Sequence, residues 1–229
     1  MDIDELWIAE STSSSKLEYL DLSCNKLKKL ERIEALAALR ELILDQNAIS
    51  TITLTRPHPT LETLLLNDNQ VEEFHGALFP AVRRVGLDRN CVKGFRGEPS
   101  LAKLEVLSLE DQRGWEGNVR FGEFMKLRTV RLSGNPLQTL TPLRQTPSLA
   151  TLELRHCGIK RIPRSLSCDL PNLQHLDLDG NSISDIRGLA GLAFLENLSM
   201  KGNTVGESEG NLEGVLGVLK TGKVRSLDL

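Results

Sequence analysis

Aliphatic residues recur along the chain in a fixed order, with polar residues between them. The order is L-x-x-L-x-L-x-x-N-x-L, and it is first complete in LEYLDLSCNKL, from Leu17 to Leu27. Similar segments begin at Leu39, Leu61, Val82, Leu104, Leu127, Leu149, Leu173, Leu195 and Val224. The starts lie 22, 22, 21, 22, 23, 22, 24, 22 and 29 residues apart. A period this regular predicts a protein built from one repeated structural unit.

The L-x-L core of each segment predicts a short strand, because side chains alternate between the two faces of a strand and the two leucines therefore share the buried face. The rest of each period is too short for a long helix. The pattern is identified as the leucine-rich repeat. It implies an α/β fold, a solenoid of about ten coils with a parallel β-sheet on the concave face. Short helices, 3₁₀ turns or extended segments are expected on the convex face.

An asparagine follows most of the predicted strands, where its amide can both donate to and accept from backbone groups of the turn. The asparagines at this position are Asn25, Asn47, Asn69, Asn90, Asn135, Asn181 and Asn203. Cys157 takes the place of asparagine in one coil and is a known variant of the pattern. Gln112 takes it in another, and we expect that coil to be distorted.

The repeat pattern divides the chain into an N-terminal cap and link, residues 1–16, and one leucine-rich repeat domain, residues 17–229. Leu6, Trp7 and Ile8 are expected to cover the first coil. The last segment stops at Leu229 inside a predicted strand, so we expect a fragment that is truncated in its final repeat. In the 29-residue period, a short helix is predicted from residues at helical spacing, which are Leu212, Val215, Leu216 and Leu219.

Two further segments have open interpretations. The run Ser11–Ser15 is either a polar link between cap and coil or a phosphorylation segment. Trp115 lies in a glycine-rich, irregular coil and either packs over that coil or contacts a partner.

Composition and charge limit the kinds of function that the chain is expected to have. The chain has 43 Leu against 6 Phe, 2 Trp and 1 Tyr, which fits many equivalent medium-sized core positions. Its net charge of −3 argues against nucleic acid as the main partner, because phosphate neutralisation needs basic residues. No stretch reaches the roughly 18 apolar residues of a membrane span. The four cysteines contain no CxxC pair and are expected to be reduced thiols in a cytosolic or nuclear protein.

The sequence contains no pattern that predicts catalysis or a cofactor. HExxH, GxGxxG, P-loop and GxSxG motifs do not occur. The spacing of His156, Cys157, Cys168 and His175 matches no usual zinc module. We therefore predict a protein that is not an enzyme, with no catalytic residue, no metal site and no cofactor.

The polar positions between the strand leucines face outward and predict a partner-binding surface on the concave face. Tyr19, Ile43 and Leu65 are expected to form an exposed apolar patch. Charged residues at the same face are predicted to set specificity, with an acidic rim of Asp45, Asp88 and Glu110 and a basic centre of Arg84, Arg131 and Arg155. His175 completes the predicted site. Such a surface favours a protein or peptide partner.

The repeats resemble the 22-residue intracellular class of leucine-rich repeats. That class includes the leucine-rich regulator of a type-one protein phosphatase and the repeat region of a tubulin-folding cofactor. Both remain alternative functions for this chain.

A closer resemblance lies in the second half. It is carried by LEVLSLEDQ (104–112), VRLSGNPL (130–137), ATLELRHCGIKRIP (150–163), LPNLQHLDLDGNSISDIRGLAGL (170–192), LENLSMKGN and VRSLDL. Their order is similar to the C-terminal repeat domain of fungal septation-initiation and mitotic-exit scaffolds, which are related to centriolin. The resemblance implies a non-catalytic scaffold at the spindle pole body. Its expected partners are spindle pole body proteins and components of a GTPase pathway, with neither nucleic acid nor membrane.

Overall fold

A computed structural model of the chain describes residues 3–6, 8, 16–96, 99–116, 118–120, 124–137, 139–140, 146–205, 217 and 223–228. The chain divides into two compact units, Met1–Asn118 (unit 1) and Val119–Leu229 (unit 2). Each is built from three-residue strands joined by turns. The predicted domain bounds, 1–16 and 17–229, follow the repeat pattern instead of compactness and stay a prediction.

Unit 1 contains a parallel sheet whose strands lie at the predicted segments. Its strands in chain order are β1 (Tyr19–Asp21), β2 (Lys29–Glu31), β3 (Glu41–Ile43), β4 (Thr51–Thr53), β5 (Thr63–Leu65), β6 (Arg84–Gly86), β7 (Gly94–Arg96) and β8 (Val106–Ser108). The main sheet runs β1-β3-β5-β6-β8, and β2 pairs with β4 on the return side. Short 3₁₀ helices span Ile33–Ala35, Gly76–Leu78 and Pro99–Leu101.

Strand β9 (Asn118–Arg120) lies where unit 1 ends. Unit 2 has its own run of five parallel strands, β10 (Thr129–Arg131), β11 (Thr151–Glu153), β12 (His175–Asp177), β13 (Asn197–Ser199) and β14 (Ser226–Asp228). Its return side carries one short α-helix, α1 (Leu166–Asp169), and a 3₁₀ helix, Arg187–Leu189. Of the predicted helix at residues 212–219, Gly217 is described and is helical, and the other residues lie outside the described ones.

The core of each unit consists of the pattern leucines. Leu42 and Leu64 in unit 1 and Leu152 in unit 2 are fully buried, since each is the middle residue of its strand and faces inward. Complete burial of such a side chain stabilises the fold by about 1.5–3 kcal/mol. Leu30 and Leu189 cover the core from the return side. The fold class is therefore confirmed.

The turn after each strand is held by the predicted asparagines, which form a hydrogen-bond ladder between coils. Asn69 is typical of them. Its Oδ1 accepts the Ile49 N–H at 2.9 Å, and its Nδ2 donates to the Leu44 and Leu66 carbonyls at 2.9 and 3.0 Å. Asn69 thus satisfies backbone groups of two coils, Ile49 and Leu44 in one and Leu66 in the next.

The ladder continues through both positions that lack asparagine. Gln112 Oε1 accepts the Val92 N–H at 3.1 Å, and its Nε2 donates to the Leu87 carbonyl at 2.8 Å. The prediction that Gln112 distorts its coil is thus wrong at the turn itself, because the longer amide reaches the same kind of partners. The Cys157 Sγ lies 3.4 Å from the Leu132 carbonyl, which confirms its structural position in the ladder.

Seven coils have asparagine at the turn. The solenoid has about seven regular turns, slightly fewer than the predicted count of about ten coils.

A left-handed backbone conformation precedes every turn residue from Asn25 to Asn203. In unit 1 the residues are not glycines, with φ between 50° and 57°: Cys24, Gln46, Asp68, Arg89 and Asp111. In unit 2 glycine holds the position at Gly134, Gly180 and Gly202, while His156 takes it once. Non-glycine residues in this region cost about 1–2 kcal/mol each.

The first coil of unit 1 is covered only in part. Ile3 N–H donates to Asn25 Oδ1 at 2.9 Å, so Ile3 covers the turn of the first coil, and Ile8 is buried. Leu6 is half-buried, and Trp7 and the run Ser11–Ser15 lie outside the described residues. Leu17, however, is 40% exposed, although the equivalent Leu39 in the next coil is 0% exposed.

A buried histidine in the second coil predicts pH-dependent stability. His58 is fully buried, and burial lowers the pKa of its imidazole below the ordinary 6.5. The unfolded chain binds a proton below pH 6.5 that the folded chain does not bind. The stabilisation is therefore complete above pH 6.5, and the free energy of unfolding should fall as the pH drops toward 5, by at most about 1.4 kcal/mol per pH unit.

The measurement is urea unfolding at several pH values, with His58→Gln compared with the exposed His75→Gln. The His58 variant should lose this slope and the His75 variant should keep it. Equal slopes in all three proteins would contradict the assignment.

Candidate partner-binding face

The residues beside each strand leucine form the outer face of each sheet, opposite the core. In unit 1 they fall into three rows that follow the strand register. The first row is Tyr19, Glu41, Thr63, Arg84 and Val106. The second is Asp21, Ile43, Leu65, Gly86 and Ser108, and the third is Ser23, Asp45, Asn67, Asp88 and Glu110. We call these fifteen positions the unit-1 face.

The centre of the unit-1 face is aliphatic. Ile43 and Leu65 are half-buried register partners on β3 and β5. Gly86 comes next in the same row, and a Cβ there would lie 3.0 Å from Leu65 Cδ2, so the Leu65 side chain leans over the glycine. Leu65 therefore covers Gly86, which is buried.

Tyr19 lies at the margin of this centre. Its register partner is Glu41, whereas the register partner of Ile43 on β1 is Asp21. The ring is 52% exposed, and its hydroxyl lies 3.4 Å from Asp21 Oδ2. The predicted patch of three residues is therefore a pair, Ile43 and Leu65, with a carboxylate between Ile43 and the edge of the sheet.

The third row carries a second hydrogen-bond ladder that the sequence analysis missed. Asp45 Oδ1 accepts the Asn67 N–H at 2.8 Å, and Asn67 Oδ1 accepts the Asp88 N–H at 2.9 Å. Asp88 Oδ1 accepts the Glu110 N–H at 2.8 Å and the Ser108 hydroxyl at 2.7 Å. The predicted acidic rim thus also supports the coils, while its negative charge still faces outward.

Burial raises the pKa of the Asp45 carboxyl, with smaller increases from the charges of Asp68 and Asp21 and an opposing contribution from the Asn67 N–H. A nearby cation would relieve this cost, since an opposite charge favours the ionised carboxylate. Within the described residues, no ion pair joins Asp21, Glu41, Asp45 or Asp88 to a basic side chain.

The predicted basic residues of unit 2 are held in ion pairs on the outer face of its own sheet. Arg131 Nε lies 3.0 Å from Glu153, and Arg155 Nη2 lies 2.6 Å from Asp177. Hydrogen bonding to Asp177, together with its charge, raises the pKa of Arg155. Lys201 lies 3.3 Å from Asp228. Each of these three basic side chains on the outer face of unit 2 is therefore paired with a carboxylate of the same sheet.

His175, also predicted, lines a shallow depression of about 180 Å³ on the outer face of unit 2. Its Nδ1 lies 2.6 Å from Asn197 Nδ2, and the ring is half-buried. Asp177 and Arg155 line the same depression. Arg84, in unit 1, is exposed between Thr63 and Val106 in the first row.

Three other candidates for a functional role are Trp115, a metal site and a membrane-spanning helix. Trp115 is 8% exposed and lies in the core of its coil. Over the described ranges, no group of three histidine, cysteine or acidic residues is arranged to hold a metal ion. No helix in the part of the chain that the structure describes has the length and apolar character to cross a membrane.

Comparisons with known proteins agree on the repeat. Residues 147–205 and 13–29 match family models described as leucine rich repeat. The septation initiation network scaffold protein cdc11 of Schizosaccharomyces pombe is 30% identical over 154 residues, or 66% of this chain. The chain spans 14% of the length of that relative.

Solved structures share the fold. Internalin C2 of Listeria monocytogenes superposes with a TM-score of 0.58 at 19% identity, covering 88% of this chain and 78% of the internalin. The TLR13–ssRNA13 complex gives a TM-score of 0.67 at 22% identity, covering 81% of this chain and 30% of that receptor. At these identities, the likeness concerns the fold alone.

Proposed function

Because the chain is a leucine-rich-repeat protein that resembles a septation scaffold, we propose that it is a non-catalytic protein-interaction module of a mitotic-exit or septation scaffold. The observation that carries the proposal is the aliphatic pair Ile43–Leu65, which is half-buried on an outer sheet face and bordered by carboxylates. A small apolar centre within a polar rim is the usual composition of a protein-binding site.

The proposed partners are a small GTPase, its regulators and downstream kinases, gathered at the spindle pole body. This finer assignment is supported by the 30% identity to a protein that is itself named a septation initiation network scaffold. A non-catalytic role is supported by the same relative, which is named a scaffold protein. The remaining predicted residues, among them Arg84 and His175, are proposed to contribute specificity.

The test is a pull-down from mitotic fungal cells with the wild type and the Ile43→Asp/Leu65→Asp variant. We expect the wild type to recover spindle pole and GTPase-pathway proteins. The variant should recover at least about thirtyfold less, because truncating two central apolar contacts typically costs 2 kcal/mol or more. Circular dichroism and thermal melting check that the variant folds, because the half-buried Leu65 can also contribute to packing.

A matched control places the same charges elsewhere. Thr129→Asp/Thr151→Asp changes two register partners in unit 2 and should recover partners as the wild type does. The proposal fails if the wild type recovers none of these proteins, or if the Ile43→Asp/Leu65→Asp variant recovers them equally well. Recovery of a type-one phosphatase or of tubulin subunits instead would favour the corresponding alternative.

A further inference from the structure

The unit-1 face has a charge distribution that specifies the chemistry of its partner. Four neighbours surround Ile43 on the sheet: Asp21 and Leu65 are its register partners, and Glu41 and Asp45 lie two residues before and after it on the same face. Three of the four are therefore carboxylates. Across all fifteen positions, five acidic residues stand against one basic residue, Arg84.

The outer face of unit 2 lacks this excess. Its three basic residues, Arg131, Arg155 and Lys201, are each within 3.3 Å of a carboxylate in the same sheet. A partner that bound there would have to break or share ion pairs that are already formed. Asp21, Glu41 and Asp45 on the unit-1 face have no such competition, because they form no ion pair within the described residues.

The spacing on β3 fixes a pattern for the partner. Residues two apart on a strand point to the same side and are separated by about 6.6 Å. An extended segment that followed β3 would place one side chain over Ile43 and Leu65. Side chains two positions before and after it would then lie next to Glu41 and Asp45.

We propose that the unit-1 face binds an extended segment of a partner protein in which an aliphatic residue is flanked, two positions to either side, by Lys or Arg. The proposal rests on the proposed function and names the partner chemistry for the same site. The aliphatic side chain gains contact area at Ile43 and Leu65, while the flanking cations neutralise carboxylates that repel one another in the free protein.

The probes are three amidated, fluorescently labelled peptides, and each of the two controls differs from the first in one kind of residue. SKSLSKS has the proposed pattern, SESLSES reverses the charge, and SKSSSKS lacks the aliphatic residue. Fluorescence polarisation with the whole chain should show SKSLSKS binding at least about tenfold more tightly than either control peptide. Its affinity should fall steeply between about 0.05 and 0.5 M salt, because exposed charges are screened.

Two variants should keep the fold, and each removes one negative charge from the outer face of one unit. Asp45→Asn and Asp179→Asn each remove one charge from a third-row carboxylate that accepts an N–H of the next coil at 2.8 Å, and an amide oxygen can still accept that bond. Asp45→Asn should weaken SKSLSKS about threefold or more, and Asp179→Asn should leave its affinity unchanged. The inference is overturned if SESLSES or SKSSSKS binds as tightly as SKSLSKS, or if the two variants behave alike.

The peptide-binding experiment and the pull-down can give different outcomes, and each combination has its own meaning. Loss of cellular partners in the Ile43→Asp/Leu65→Asp variant, combined with no discrimination among the peptides, would leave the proposed function standing and refute this partner chemistry. Peptide discrimination combined with unchanged cellular recovery would support the chemistry and refute the scaffold role of the face.

Discussion

Replacement of Asn90 by alanine is expected to lower the free energy of unfolding by about 1–3 kcal/mol. Asn90 is fully buried; its Oδ1 accepts the Val71 N–H at 2.9 Å, and its Nδ2 donates to the Leu66 and Leu87 carbonyls at 2.8 and 3.0 Å. Alanine leaves the Val71 N–H buried without a partner, which costs about 1–3 kcal/mol, whereas the Leu66 and Leu87 carbonyls still accept from Asn69 Nδ2 and Gln112 Nε2.

Gln112→Asn is the matched control. Gln112 already bonds the Val92 N–H and the Leu87 carbonyl, so asparagine should replace it within about 1 kcal/mol. Urea unfolding followed by circular dichroism measures both variants. A loss below 1 kcal/mol for Asn90→Ala would show that the ladder contributes little to stability.

The second large effect is expected from the leucines that occupy one register line across β1, β3 and β5. Leu64→Ala removes a fully buried side chain from the middle of unit 1 and should cost about 2–5 kcal/mol. Leu20→Ala changes the equivalent residue of the first coil, which is only half-buried, and should cost less than half as much.

The same urea experiment distinguishes the two variants, with the slope against urea compared to detect loss of two-state behaviour. Equal losses for Leu20→Ala and Leu64→Ala would mean that the first coil is covered as well as the third. That result would contradict the exposure of Leu17 in this structure.

The sequence predicts the strands well because burial of the pattern leucines decides both their position and their register. Leu42, Leu64 and Leu152 are each the middle residue of a strand, as their period indicates. The left-handed residues were not predicted, because in unit 1 they are not glycines: Gln46 and Arg89, for example, have φ of 56° and 53°. Here the hydrogen-bond ladder holds non-glycine residues in the left-handed conformation, which their side chains disfavour.

The candidate site was predicted as a face but not as a set of contacts. Alternation along the strands places Ile43 and Leu65 outward, and the register then makes them neighbours. Side-chain pairing depends on rotamers and on residues about one period away, so the ion pair of Arg155 with Asp177 and the backbone bond of Asp45 were not foreseeable from spacing. The contrast between an acidic face and a neutralised one appears only when those bonds are known.

The constant spacing of the asparagine ladder has a consequence for how such a chain changes over generations. Val71 is bonded by a residue 19 positions later, and Ile49, Leu27 and Ile183 by residues 20 positions later. If one whole period were duplicated or deleted, every donor would still meet an equivalent acceptor. Coil number can therefore drift by recombination between copies, while selection for a partner acts on the few outward residues that differ from coil to coil.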